Sequence, residues 1–169
     1  MSTQIPVPME LDMVDPSNAN AYWTRQDNGA GFNGVYRFIN GVHPHSKMVF
    51  KCQIPDTLAA PALWNVAIYH SNQQAAGAVL VRAEANVLGS GDTPGVRTVI
   101  VPNQLVGVGP SGDVNRTLLS STNFDSLLTL TAGEILRLEF MRAPNGASGD
   151  TAGANWDLVI PPVLMCNVN

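Results

Sequence analysis

Residues 131–142 read TAGEILRLEFMR, and this stretch indicates the class of fold. A Thr-Ala-Gly-Glu turn leads into a run in which Leu136, Leu138 and Phe140 share one face, while Arg137 and Glu139 share the other. Side chains alternate across a sheet with a period of two residues, so this pattern predicts a half-buried strand.

Short alternating runs of the same kind, separated by Gly- and Pro-rich turns, extend on both sides of this stretch. They cover 35–39, 48–54, 64–69, 79–87, 97–101 with an extension over 105–108, 117–122, 156–160 and 163–168. We find no amphipathic helix of ten residues, and no place for the crossover helices of about a dozen residues that a parallel sheet needs. The sequence therefore predicts an all-β, antiparallel β-sandwich that is jelly-roll-like.

The first 33 residues differ from the rest, because prolines hold them extended and they alternate little. We predict an extended N-terminal arm over 1–33 ahead of a sandwich over 34–169. We expect the arm to be held by packing against its own sandwich or a neighbour, and its removal to leave the sandwich folded. The predicted contacts with a partner surface or another subunit are its larger apolar residues: Ile5, Val7, Met9, Leu11, Met13, Tyr22 and Trp23.

The composition excludes some partners. The net charge is −4 with two lysines, so the clustered cations that a nucleic-acid groove needs are missing. No apolar run is long enough to span a bilayer and no secretory segment opens the chain, so we predict a soluble protein that stays in the cytoplasm where it is made until it assembles. Only 13% of the residues are charged, about half the usual share, which favours packing against neighbours. An ordinary neutral surface is the alternative interpretation.

Histidines and cysteines give little sign of metal chemistry. His43 and His45 flank a proline without an acidic or cysteine partner nearby, which indicates an exposed loop. His70 is predicted to be a polar residue at a strand end. Cys52 and Cys166 lie in apolar runs and are predicted to be buried free thiols. A cupin-like metal enzyme would need a His/Glu cluster on inward strand positions, so we predict neither a metal nor another cofactor.

Acidic residues offer no convincing catalytic pair. Asp125, Glu134 and Glu139 could supply two carboxylates for glycoside hydrolysis, but Glu139 is better interpreted as half of a solvated cross-strand ion pair. Ser-Gly-Asp occurs at 90–92, 111–113 and 148–150, where turn chemistry is favoured over a Ca²⁺ site. We therefore predict that the protein is not an enzyme.

Aromatic residues leave a sugar-binding platform open. Tyr22, Trp23, Tyr69 and Trp156 are the candidates, since aromatic planes stack on sugar faces. Trp64 alternates with Val66 and is predicted to be core. An exposed Trp156 would favour a glycan- or receptor-binding module whose loops carry the contacts.

An order of features in residues 36–168 resembles small jelly-roll virion proteins of tailed bacteriophages, which serve as capsid decoration or head-fibre modules. The features are a strand ending at Pro55, a short aromatic strand over 64–69, and a strand after Gly77. An Ala-Gly-acid turn at 132–134 then begins a strand that ends at Arg142, and an Asp-bearing Gly/Ala loop over 145–153 precedes the last strand. The Pro161-Pro162 break and the long leading segment depart from this pattern.

The resemblance implies a structural virion protein without enzymatic activity. The expected function is that of a capsid decoration, or cement, protein on the outer surface of the shell, with the major capsid protein as partner. It also implies a homo-oligomer, a trimer. The alternative is a glycan- or receptor-binding module of a head fibre or tail.

Overall fold

A computed structural model of the chain describes residues 3–14, 21–27, 32–39, 46–72, 77–89, 91, 96–110, 112–119, 123–142 and 149–169. Within these ranges the chain forms twelve strands and one short 3-10 turn at Phe124–Ser126. The strands are β1 (Thr3–Pro8), β2 (Glu10–Val14), β3 (Ala21–Asp27), β4 (Phe32–Phe38), β5 (Ser46–Gln53), β6 (Trp64–Asn72), β7 (Ala78–Leu88), β8 (Thr98–Gly107), β9 (Asn115–Leu119), β10 (Ile135–Arg142), β11 (Trp156–Leu158) and β12 (Val163–Val168).

The strand order defines a jelly roll. Strands β11 and β12 pair along the same strand, β6, and act as two halves of one final strand. If β4 is counted as the first strand and β11/β12 as the eighth, sheet I has the order β4, β11/β12, β6, β9. These are the first, eighth, third and sixth strands. The second, seventh, fourth and fifth form sheet II, in the order β5, β10, β7, β8. This double Greek key, antiparallel at each pairing, confirms the predicted all-β sandwich.

Strand β10 lies at the centre of sheet II, as the opening stretch predicts. Gly133 takes the left-handed conformation, with φ of 79°, and the Glu134 amide donates to the Thr131 carbonyl, so the turn forms where glycine allows it. Leu136, Leu138 and Phe140 are fully buried. Pairing to β5 on one side and β7 on the other leaves β10 no free edge.

The described parts of the leading segment are strands of the sandwich, whereas the sequence predicts a separate extended arm. β1 pairs with β12, β2 pairs with β5 and β3 pairs with β4, so the segment widens both sheets. β4 begins at Phe32 and crosses the predicted boundary at 33/34. Extended backbone needs hydrogen-bond partners, and the edges of β12, β5 and β4 supply them. Removing 1–33 would expose these edges, and folding of the sandwich without it stays a prediction.

Prolines account for the irregular strands. Pro161-Pro162 separates β11 from β12 and shifts their register against β6, as the sequence predicts for a break. Pro102 lies inside β8, which is continuous over both predicted runs. β8 tolerates this proline because it is an edge strand with a register shift at that position.

Candidate interaction surfaces

The outer face of sheet II carries a dense set of ion pairs and is called the charged face. Since Leu136 and Leu138 point inward, Arg137 and Glu139 point outward. Their neighbours on this face complete a network of alternating sign. Its members are Glu10, Asp12, Lys47, Lys51, Arg82, Glu84, Arg97, Arg137 and Glu139.

Glu139 corrects one prediction about this face. It forms cross-strand ion pairs as predicted, with Lys47 at 3.3 Å and with Arg97. The residue is only 6% exposed, so the pair is not solvated as predicted. Register explains the need for two cations, because Glu139 lies directly opposite Glu84 on β7, where like charges destabilise a sheet. Glu84 is neutralised separately by Arg82 at 2.6 Å.

A bulge in β2 places Asp12 in the same network. The register of β2 against β5 shifts between Leu11 and Met13. Asp12 binds Arg137 at 2.8 Å and Lys51 at 3.1 Å. Partial burial works against ionisation, but these two cations hold the pKa of Asp12 below its usual value. The charged face is therefore satisfied internally, and it leaves no unpaired charge among these members to recognise a ligand.

The outer face of sheet I carries fewer charges where β1, β12, β6 and β9 form it, while on β4 and β11 the same face holds the ion pair of Arg37 and Asp157 at 2.8 Å. In the four strands the outward residues alternate with the core residues, and one charged side chain, Arg116, occurs among the described positions. Two of these outward residues, Val163 and Ala67, are themselves buried. Direct register aligns Pro8, Val163, Ala67 and Leu118 in one row across the four strands. Leu118 is 44% exposed. We call these outward residues the neutral face.

Arg142 and Asp150 form a buried ion pair that organises the loop before β11. Both side chains are at most 1% exposed, and the guanidinium contacts the carboxylate at 3.1 Å through two nitrogens. Arg142 also donates to the carbonyls of Ala152 and Ala154 at 2.7 Å, and Asp150 accepts from the Leu80 amide. The strand-ending arginine and the Asp-bearing loop of the sequence pattern are thus bound to each other. Asp150 is a structural counterion, and both of its carboxylate oxygens accept hydrogen bonds within the protein.

Trp156 and His70 are core residues, which contradicts both predictions for them. Trp156 is fully buried, stacks on Phe140 with ring centroids 5.7 Å apart, and contacts Phe38. Its indole N–H donates to His70 Nδ1 at 3.2 Å, while His70 Nε2 lies 3.0 Å from Thr117 Oγ1. His70 is therefore neither exposed nor at a strand end, because β6 continues to Asn72. The sequence alternation 64, 66, 68, 70 carries this signal and extends one step further than predicted.

Burial of His70 predicts an acid-sensitive fold. Burial lowers the pKa of His70 to about 4 from its ordinary 6.5. The folded state favours the neutral ring of His70. Its contribution to the free energy of unfolding is therefore complete above about pH 6.5 and is lost as the pH falls toward 4. We expect the loss in the free energy of unfolding to reach about 3 kcal/mol once the pH is below 4. Urea unfolding of wild type and His70→Gln at pH 7 and 4.5 should show a smaller pH dependence in the variant. An equal dependence would contradict this role of His70.

The remaining core predictions are confirmed. Trp64 is 1% exposed and Cys52 and Cys166 are buried free thiols. Burial, with the nearby Cys166 thiol, raises the pKa of Cys52 to about 12. His43 and His45 lie outside the described residues, as do Ser90, Asp92, Ser111 and Ser148 of the Ser-Gly-Asp turns. In the described part of the chain, no three His, Cys, Asp or Glu side chains are placed to hold a metal.

The predicted contact residues are divided between the core and the surface. Met9 is buried at the crossing from β1 to β2, and Ile5, Val7 and Leu11 are half-buried against the core. Met13 and Trp23 are exposed at 44% and 51%. The Tyr22 side chain lies outside the described residues. Trp23 rests on Gly34 of β4, where a Cβ atom would lie 2.8 Å from the indole nitrogen.

Comparison with known proteins finds only remote structural likenesses. No family model and no curated protein matches it. Among solved structures it is similar to TmCBM61 in complex with β-1,4-galactotriose, with 8% identity, a TM-score of 0.44, and coverage of 93% of this chain and 87% of that chain. It is also similar to a chain of infectious bursal disease virus, Gx strain, with 11% identity, a TM-score of 0.47, and coverage of 95% and 38%.

A third similar structure is the family 11 carbohydrate-binding module from Clostridium thermocellum in complex with a β-1,3-1,4-mixed-linked tetrasaccharide, with 10% identity, a TM-score of 0.40, and coverage of 94% and 95%. These likenesses are too remote to carry an argument about function. The class of protein, a jelly-roll sandwich, rests on its strand order. Among the described residues there is no helix long and apolar enough to cross a membrane.

Proposed function

We propose that the chain is a non-enzymatic structural protein of a virion, a decoration protein that binds the outer surface of a capsid shell and stabilises it. The observation that carries the proposal is the contrast between the two outer faces of the sandwich. The charged face holds nine charged side chains in internal pairs, whereas the neutral face presents one charge, Arg116, across four strands and lies beside the ion pair of Arg37 and Asp157 on β4 and β11. The resemblance in residues 36–168 supplies the shell as the partner.

The neutral face is suited to burial against another protein. The exposed side chains at the two ends of the row, Pro8 and Leu118, can be removed from water without desolvating an ion, whereas contact through the charged face would desolvate its ion pairs. Each bound subunit would stabilise the assembled shell by its binding free energy. The proposed partner is the major capsid protein, the location is the virion surface, and the proposed assembly is a homo-oligomer; neither nucleic acid nor a membrane takes part.

Leu118→Glu should weaken shell binding by about tenfold or more. The substitution places a charge in the exposed end of the neutral row, where binding would desolvate it without a partner. Co-sedimentation with shells of the virus that encodes the chain measures the affinity. Glu10→Lys is the matched control, since it changes an exposed residue on the charged face and should bind as wild type does. Equal losses of affinity in both variants, or no loss in either variant, would contradict the assignment of shell binding to the neutral face.

The glycan-binding alternative is favoured by one observation, the exposed Trp23 over Gly34. Trp156 no longer supports it. Because Trp64 and Trp156 are buried, quenching of tryptophan fluorescence by acrylamide reports chiefly on Trp23. Protection of Trp23 by an oligosaccharide would favour a binding module, and a glycan screen without protection would count against it.

A further inference from the structure

The edge strands of the two sheets are protected unequally. β1 carries Pro6 and Pro8, and β8 carries Pro102 and register shifts. β2 has a bulge and the paired charges of Glu10 and Asp12. β9 is short, and its Leu118 carbonyl accepts a bond from Gln104 of β8. Prolines, bulges, charges and short length are the devices that keep sheet edges from pairing with other chains.

Strand β3 lacks two of these devices, proline and a register shift, and carries a third, charge, in Arg25 and Asp27. Its seven residues contain no proline and pair with β4 without a register shift. Within the described residues, no further strand of this chain lies beyond β3 in sheet I. Trp23, in the middle of this strand, is half exposed. An edge of this kind is suited to accepting another strand through main-chain hydrogen bonds.

The sequence of β3 is complementary to itself in an antiparallel pair. The register that pairs all seven residues has its centre at Thr24, so that Trp23 is placed across from position 25 of the other copy, an arginine. Arginine across from tryptophan is a favourable cross-strand neighbour. The same register places Ala21 across from Asp27 and sets no two like charges opposite each other.

We propose that β3 pairs with β3 of a second copy of this chain, antiparallel and centred on Thr24, so that sheet I continues across a two-fold axis. Self-association through one shared surface patch is the commonest way in which protein chains form homo-oligomers. The contact deepens the proposed function, because it names the surface through which subunits join. It predicts dimers, or assemblies built from them, where the resemblance alone implies a trimer.

Charge placed at the two-fold centre tests this register. Trp23 shares its face with Tyr36, which packs on Phe50 in the interior, so Thr24 lies on the outer face, across from Val35. Thr24→Lys sets two lysines directly opposite each other, and Thr24→Glu sets two glutamates. Each variant should weaken self-association by about fivefold or more, and an equimolar mixture of the two should restore it.

The readouts are the solution mass by sedimentation velocity over a range of concentrations and the acrylamide quenching of Trp23. Wild type should approach twice the chain mass while Trp23 becomes protected. Leu118→Glu, at the opposite edge of sheet I, should self-associate as wild type does, so loss of shell binding and loss of pairing are separable. A chain that stays monomeric at all concentrations, or single variants that associate like wild type, or a mixture that restores nothing, would overturn the proposal.

Discussion

Replacing Asp150 with alanine should lower the free energy of unfolding by about 3–5 kcal/mol, because it leaves the Arg142 guanidinium buried without its counterion. Arg142 is 1% exposed and cannot reach water without disrupting the loop that it holds through Ala152 and Ala154. The Leu80 amide loses its acceptor in the same change. Urea unfolding at neutral pH measures the effect.

Two variants separate the ion pair from the general effect of removing an aspartate. Asp113→Ala removes an exposed carboxylate from a turn and should change the stability by less than about 0.5 kcal/mol. The double variant Arg142→Met with Asp150→Ala should recover much of the loss, since replacing both partners leaves no uncompensated charge. An Asp150→Ala protein as stable as wild type would show that Arg142 finds another partner and that the loop does not depend on the pair.

Trp156→Ala should cost about 3–5 kcal/mol of stability, the usual range for removing a large aromatic side chain from a core. The indole stacks on Phe140, contacts Phe38 and donates to His70, so the change leaves both a cavity and a buried ring nitrogen without its donor. Chemical denaturation followed by circular dichroism measures the loss without depending on tryptophan fluorescence.

Trp23→Ala is the matched control, because it removes the same side chain from an exposed position. We expect a loss of no more than about 1 kcal/mol there. The contrast also decides the role of Trp156. A sugar platform at a loop would tolerate truncation with little change in stability, so a small effect of Trp156→Ala would contradict its place in the core.

The fold could be predicted because alternation reports directly on burial. In β10 the period of two separates Leu136 and Leu138 from Arg137, and the structure places them on opposite faces as expected. The absence of helical periodicity excluded crossover connections, which left sandwiches. Strand order is a different kind of information, because the pairing of β6 with β9 and β12 depends on contacts far apart in sequence.

Polar residues in the core were predicted less well than apolar ones. The sequence predicts Glu139 to be solvated and His70 to end a strand, whereas each is buried with partners from other strands. The ion pair between Arg142 and Asp150 was present in the sequence pattern as two separate features. Their contact could not be inferred, since local spacing does not determine how a loop folds back on a sheet.

For the leading segment, the backbone conformation could be predicted from sequence but the pairing of its strands could not. Its prolines predict extended backbone correctly, and β1 and β2 are extended. Whether such a segment projects or pairs depends on the free edges of the sandwich, which sequence does not reveal. The neutral face itself depends on four strands brought together by the fold, with β1 separated from β12 by most of the chain.

Hydroxyl-radical footprinting of the shell-bound chain tests the central claim most directly. The method reads the solvent exposure of single side chains, and the neutral face offers Tyr69, Met165 and Leu118 as reactive reporters. We predict that binding to shells protects these three while Leu88 and Ile135, beside the charged face, react as in the free protein. Unchanged oxidation of the neutral face, with protection on the other side of the sandwich, would contradict the account.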